Sequence, residues 1–284
     1  MAEGIIFSIE EFATKDGPGL RTSVFFKGCP LRCQWCHNPE GLSPRPQIIK
    51  NYNLCIGCKA CEEVCQHPDN CIACGDCVRV CPRNLIRISG QRIDAASLAE
   101  KVKEHADILQ KTGGGVTLTG GEVLMQGEFL LECLDMLLPL HRAIETSGYG
   151  DPSLFKKVMD NTDFIFLDIK MMDADKHKAY TGVSNEKILK NAEQLKYGDT
   201  DFVVRIPLIC GVNNDIENLT KTAQFLQDAK NLLYVELLPY NLAAGSKYKL
   251  LDLKYEYSFQ KPGDKELENA RIIFESYGIK CKIA

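Results

Sequence analysis

Cys29-Pro30-Leu31-Arg32-Cys33-Gln34-Trp35-Cys36 decides how the rest of the chain is read. Three cysteines at x3 and x2 spacing fall on one short loop. Iron–sulfur sites are ordinarily held by four thiolates, so three on a four-iron cluster leave one iron with an open position. Open coordination separates a metal that does chemistry from one that only holds a fold. Two plainer readings share the spacing: a zinc site with His37 as fourth ligand, and a buried cluster completed by a distant cysteine.

Outward from the loop, Val24-Phe25-Phe26 reads as a buried strand, preceded by Ile5-Ile6-Phe7 and a turn at Asp16-Gly17-Pro18-Gly19. Residues 39–49, with Pro39, Gly41, Pro44 and Pro46, read as a linker by composition. Then the character changes. Cys55, Cys58, Cys61 and Cys65 form one C-x2-C-x2-C-x3-C run, and Cys71, Cys74, Cys77 and Cys81 a second. The pair resembles the bacterial two-cluster ferredoxin pattern, in which the fourth cysteine of each run ligates the other run's cluster. That implies one cluster on Cys55, Cys58, Cys61 and Cys81, and another on Cys71, Cys74, Cys77 and Cys65. Zinc is the alternative, but zinc sites rarely repeat this spacing in tandem. Pro82 follows Cys81, whereas Gln66 follows Cys65.

The chain has 284 residues, 45% apolar, with a net charge of −4, enough for one large domain and a small one. No basic face suggests nucleic acid. The start, Met1-Ala2-Glu3-Gly4-Ile5-Ile6-Phe7-Ser8, lacks the pattern of a signal peptide. No run approaches the ~20 apolar residues of a membrane span. Eleven of the fourteen cysteines fall between residues 29 and 81, which favours metal binding over dispersed disulfides. A cytoplasmic, oxygen-sensitive protein is expected.

From about residue 94 strands and helices alternate. Asp94 is expected to cap a helix through residue 111, with Leu98, Val102 and Ile108 on its apolar side. Strands are expected at 116–119, 142–146, 164–169, 202–208 and 232–238, and helices around 129–138, from 152, at 185–197, 219–229 and 264–277. Residues 279–283 read as an edge strand. With the strand before Cys29, about six βα units emerge. The fold class is therefore α/β, a partial (β/α)6 open TIM-like barrel with an inserted ferredoxin-like domain. Residues 1–48 and 91–284 form the barrel, and 49–90 the insertion.

In βα barrels chemistry collects at the C-terminal ends of the strands. There lie Gly120-Gly121-Glu122, Glu145-Thr146-Ser147-Gly148, Asp168 with Lys170, and Pro239-Tyr240-Asn241, with Arg205 inside its strand. The cysteine loop, with aromatic Trp35 before its last cysteine, resembles the radical SAM superfamily. Asp16-Gly-Pro-Gly-Leu-Arg21, Gly113-Gly-Gly-Val-Thr-Leu-Thr-Gly-Gly-Glu122, Leu167-Asp-Ile-Lys170 and Glu236-Leu-Leu-Pro-Tyr240 extend the resemblance to glycyl-radical-enzyme activating enzymes, over nearly the whole chain. Among these it is nearest the subgroup with an inserted two-cluster ferredoxin-like domain.

The resemblance implies three four-iron clusters and S-adenosylmethionine (SAM) as cofactors, with a place for a monovalent cation. Cys29, Cys33 and Cys36 hold the cluster that cleaves SAM. Gly120, Gly121 and Glu122 receive the SAM amino group; an ordinary tight turn is the plainer reading. Asp168 and Lys170 lie near its carboxylate and ribose, against the alternative of a surface ion pair. Arg205 is implied as a SAM contact and Asn241 stands at an adenosine-binding position. Relatives often carry Pro where Val123 stands, His where Asn241 stands and, in some, Asp where Glu145 stands; these departures fall on the cation and adenosine contacts. Asp16 and its neighbours resemble a loop that meets the partner, or form a plain turn at Pro18-Gly19. His37 is expected beside the cluster and not as a ligand; Cys133, Cys210 and Cys281 are read as structural thiols.

The implied function is generation of a glycyl radical on a partner glycyl radical enzyme. Electrons come from flavodoxin or ferredoxin, relayed through the insertion, and the chain is expected to act as a monomer. The rivals are an iron–sulfur electron-transfer protein, a radical SAM enzyme acting on a small molecule or peptide, and a zinc-binding adaptor.

Overall fold

The computed structural model describes residues 1–284. Strands β1 (Glu3–Ala13), β2 (Arg21–Phe26), β3 (Gln47–Lys50), β4 (Ile86–Ser89), β5 (Gln91–Asp94), β6 (Gly115–Gly120), β7 (His141–Thr146), β8 (Phe164–Asp168), β9 (Asp201–Leu208), β10 (Leu232–Pro239) and β11 (Cys281–Ile283) form two sheets. The larger has nine strands in the order β11-β10-β9-β8-β7-β6-β2-β1-β5. From β2 to β11 every neighbouring pair is parallel; β1 runs antiparallel to both β2 and β5. The parallel order brings the ends of β2 and β6 to β10 to one edge, where the loops named above emerge.

The two faces of this sheet differ because successive side chains point opposite ways. Val116, Leu118, Ile144, Ile165, Leu167, Val204, Ile206, Val235 and Leu237 face one side and belong to the main apolar core. That side is covered by helices α3 (Ala95–Lys103), α5 (Gly127–Met136), α6 (Pro152–Asp160), α8 (Glu186–Lys196), α9 (Ile216–Leu226) and α10 (Asp264–Ser276), which supply Leu98, Phe129, Phe155, Leu195, Leu219 and Phe274. The other side carries a small cluster of Ala143, Phe164, Phe166 and Val203. In the alternation it also bears Thr119, Glu145, Asp168, Arg205 and Glu236. One face therefore builds the core, and the opposite face is left for polar groups.

Aspartates start four of the helices. Asp94, Asp151, Asp173 and Asp215 accept from the backbone N–H of Ser97, Ser153, Lys176 and Asn218 at 2.8–2.9 Å, satisfying donors that the first helical turn leaves free. The helix expected over 94–111 is two helices, α3 and α4 (Ala106–Lys111), broken at Glu104-His105. The break shifts the helical phase, so Leu109 is buried and Ile108 is 46% exposed. A further helix, α7 (Ala174–Thr181), has no apolar stripe to announce it; its buried residues are His177 and Thr181. The proline-rich stretch after the cysteine loop is not a loose connection. Pro39, Glu40 and Gly41 form a buried 3-10 turn, and β3 follows.

Between β3 and β4, which pair antiparallel with Gln47 opposite Ser89, lie all eight cysteines of the tandem runs and two short helices, α1 (Ala60–Glu63) and α2 (Asp76–Val80).

Leu118 is fully buried at the centre of the sheet. Leu118→Ala is expected to cost about 2–5 kcal/mol, read as a lower urea midpoint at unchanged slope; an unshifted midpoint would contradict the packing described.

Candidate functional site

The cysteine loop starts where β2 ends, and backbone holds it there. Gly28 N–H donates to Gly41 O at 2.8 Å, Gly121 N–H to Phe26 O at 2.8 Å, and Glu122 N–H to Gly28 O at 2.8 Å. Three glycines meet at this junction. A Cβ on Gly121 would lie 2.2 Å from Gly28 O and 2.5 Å from Gly41 O, so only hydrogen fits. The far side of the loop is tied to the end of α7: Arg32 N–H donates to Thr181 O at 2.6 Å and Gln34 N–H to Tyr180 O at 3.1 Å.

Glu122 locks the second side of the site. Its carboxylate is fully buried and accepts from Thr146 Oγ1 at 2.5 Å, Ser147 N at 2.8 Å, Ser147 Oγ at 2.5 Å and Leu124 N at 3.2 Å. Burial raises its pKa, and the Ser147 and Thr146 hydroxyls work against that rise. The side chain thus fastens the loop after β6 to the loop after β7. The glycines before it, and not its carboxylate, border open space.

That space is a cavity of about 280 Å³ at the C-terminal edge of the polar face. Cys29, Cys33 and Cys36 line it with Gly120, Gly121, Asp168 and Lys170. Trp35 also borders it, and is otherwise buried in an apolar cluster with Met171, Ile209 and Tyr240. Lys170 Nζ donates to Asp168 Oδ2 at 2.9 Å, and Lys170 is only 7% exposed, which removes the surface-pair reading. Burial opposes the lysine's charge, but Asp168 and Cys33 outweigh it and hold its pKa above the ordinary lysine value. Burial pushes the Cys29 and Cys33 thiols up to about 12, so a positive group is needed to hold them as thiolates. His37 borders the same cavity and packs edge-on to Tyr240 at 6.4 Å.

Arg205 and Asn241 stand outside this lining. The Arg205 guanidinium donates to Glu145 Oε1 at 2.7 Å, Glu236 Oε2 at 2.8 Å and Lys15 O at 2.7 Å, and lies 3.6 Å over the Phe166 ring. It reaches the cavity through Glu145, which lines it and also accepts from Thr119 Oγ1 at 2.9 Å. Burial would push the Glu145 carboxyl up; Arg205 outweighs it and holds it below the usual range. Asn241 turns to the backbone of its own loop, its Oδ1 accepting from Ala243 N at 2.9 Å. Asp16 accepts from Ser23 Oγ at 2.5 Å, and Arg21 is buried, donating from Nε to Thr117 Oγ1 at 2.6 Å. Cys133 and Cys281 are buried; Cys210 is half-buried beside Glu266.

Thr119 and Asn38 also line the cavity, though no motif singles them out. Thr119 was recoverable, because it alternates with buried Leu118 in β6. Tyr248, which neighbours Cys36, carried no local signal.

A second cavity, of about 140 Å³, is lined by Cys55, Cys58, Cys61 and Cys81. Three thiols come from the first run and one from the end of the second, the crossed grouping that the ferredoxin resemblance implies. Thiols around a cavity of this size suit a cluster. In the main cavity three thiols share the lining with the glycine backbone of Gly120 and Gly121, a donor set that suits a cluster with one iron left for an outside ligand.

The radical SAM superfamily profile matches residues 23–223. The trans-4-hydroxy-L-proline dehydratase activating enzyme of Clostridioides difficile is 38% identical, covering 98% of each chain. The choline trimethylamine-lyase activating enzyme of Oleidesulfovibrio alaskensis is 36% identical over 99% of this chain and 98% of its own. A domain of a pyruvate-formate lyase-activating enzyme from Bacteroides vulgatus superposes with a TM-score of 0.52 at 32% identity, covering 61% of this chain and 99% of its own. A radical SAM methyltransferase from Sphaerobacter thermophilus shares the fold, with a TM-score of 0.55 at 14% identity.

Gly121→Ala forces backbone apart at the junction. We expect SAM affinity to fall at least about tenfold in anaerobic equilibrium dialysis, with far-ultraviolet circular dichroism retained; wild-type affinity would refute the close approach.

Proposed function

The chain belongs to the radical SAM superfamily and, within it, to the glycyl-radical-enzyme activating enzymes, and from that premise we propose that it generates a glycyl radical on a partner glycyl radical enzyme. A four-iron cluster and SAM, when bound, supply reductive cleavage to methionine and a hydrogen-abstracting 5′-deoxyadenosyl radical. Everything else falls to the residues. Cys29, Cys33 and Cys36 would hold the cluster. Bare backbone at Gly120 and Gly121 lets the SAM amino group approach, with Glu122 fixing that backbone from behind. Asp168 and Lys170 present opposite charges to its carboxylate and ribose. Leu31, Trp35 and Leu238 add apolar surface to the cavity lining, the kind of surface that would help keep water from the reacting groups. The hydrogen taken from the partner's glycine Cα would go to that radical, leaving the unpaired electron on the glycine. No side chain of this protein needs to act as acid or base.

The observation that carries this reading is the meeting of three cysteines, two glycines and a pair of half-buried Asp168 with buried Lys170 in one cavity at the strand ends. Residues 49–90 are proposed as the two-cluster insertion, on a curved partial barrel. The crossed cysteine set supports one of its clusters. A flavodoxin or ferredoxin is the proposed reductant. A monovalent cation would sit beside Asp168 and Glu145.

Anaerobic protein with dithionite and SAM is expected to release 5′-deoxyadenosine. Adding the cognate glycyl radical enzyme should yield the glycine-radical EPR doublet, and Cys36→Ala should abolish both. Deoxyadenosine without any doublet would favour action on a small molecule or peptide; neither product would leave an electron-transfer protein. Asp168→Asn is expected to weaken SAM binding about tenfold while leaving iron content unchanged.

A further inference from the structure

The segment between β3 and β4 holds two thiol sets of like spacing and unlike surroundings. Beside Cys55, Cys58, Cys61 and Cys81, the cavity wall carries Lys50, Lys59 and Arg83 against one carboxylate, Glu62. Geometry singles out Lys50. Its Nζ donates to Cys61 Sγ at 3.5 Å and lies 4.8 Å from the centre of the Tyr52 ring. Tyr52 Oη donates to the Asp252 carboxylate at 2.6 and 2.8 Å. Asp252 caps the 3-10 segment Ala244–Leu251. That segment reaches the stretch just after the three-cysteine loop through Lys247 Nζ, which donates to Asn38 Oδ1 at 3.1 Å, and Asn38 lines the main cavity. A chain of contacts, Cys61–Lys50–Tyr52–Asp252, thus ties the first thiol set to the wall of the main cavity.

The second set, Cys65, Cys71, Cys74 and Cys77, has the opposite charge nearby. Where the first run has Ala60, the second has Asp76. Asp76 Oδ2 lies 3.4 Å from Cys74 Sγ, and its partner Arg79 is solvent-facing and offsets only part of that charge. Solvent access does not separate the sets: Cys55 and Cys58 are exposed, and so are Cys71 and Cys74.

We propose that Lys50 is a positioning residue that makes the cluster held by Cys55, Cys58, Cys61 and Cys81 easier to reduce than the one held by Cys65, Cys71, Cys74 and Cys77. The electron then rests on the side tied to the main cavity. The reason is charge: reduction adds a negative charge, which a cation hydrogen-bonded to a ligand sulfur stabilises and a carboxylate opposes. The inference rests on the two-cluster reading of residues 49–90.

The test is an EPR-monitored potentiometric titration of the full-length, anaerobically reconstituted protein, beside Lys50→Met, Lys50→Arg and Asp76→Asn. Lys50→Met should move one insertion signal to lower potential, and Lys50→Arg should leave it near the wild-type value. Asp76→Asn should move the other signal upward. The signal that changes on adding SAM should not move. An intact iron complement, roughly twelve per chain, with neither midpoint shifted by Lys50→Met overturns the proposal. So does a shift of equal size in Lys50→Arg. Should Lys50→Met lose iron, Lys50→Arg and Asp76→Asn still decide. Wild-type protein holding iron for a single cube would instead sink the two-cluster reading itself.

Discussion

Everything at the site depends on how closely three stretches of backbone approach at Gly28, Gly41 and Gly121. β2, the turn after the cysteine loop and the end of β6 share hydrogen bonds with no side chain between them. Any Cβ at Gly121 would drive β6 away from the loop. The contact does two jobs at once. It fixes where Cys29 begins relative to the strand edge, and it leaves bare backbone beside the cysteines, where a small zwitterion can be met by peptide groups.

Around that junction the sheet divides its labour between faces. The helix-covered face buries its aliphatic side chains nearly completely, and supplies the stability. The opposite face keeps a charged group, Arg205, between Glu145 and Glu236 and over Phe166. Buried charges are costly unless paired and hydrogen-bonded, and here each is. The result is a stiff polar layer beneath the cavity. Asp168 and Lys170 stand at its rim, and Glu145 joins the rim to the layer. Glu122 plays the matching part behind the glycines, where its four donors hold two loops together.

The cysteine-rich segment is tied to this frame at few points. β3 and β4 close its ends, and Tyr52 reaches across to Asp252. The tie runs from the first thiol set, and through the 244–251 turn it ends just after the three-cysteine loop. Two runs alike in spacing are therefore unlike in position and in charge.

Much of this was legible in the chain itself. Cysteine spacing picked out the seven thiols that line the two cavities, because thiolate geometry around a cube tolerates few separations. The alternation in β6 to β10 announced a parallel sheet and, with it, the edge where Gly120, Asp168 and Lys170 would gather. Local pattern failed where stability comes from elsewhere. α7 has no apolar stripe, the helix after Asp94 breaks at a junction without Gly or Pro, and Pro39–Gly41 is buried despite its composition. Only the folded chain decided which way each side chain turns: Glu122 inward, away from the cavity; Arg205 into an ion-pair layer; Asn241 to the backbone of its own loop. It also decided that Lys50, Tyr52 and Asp252 meet. Such contacts join residues up to 200 positions apart, and no periodicity along a chain encodes which distant groups will pack together.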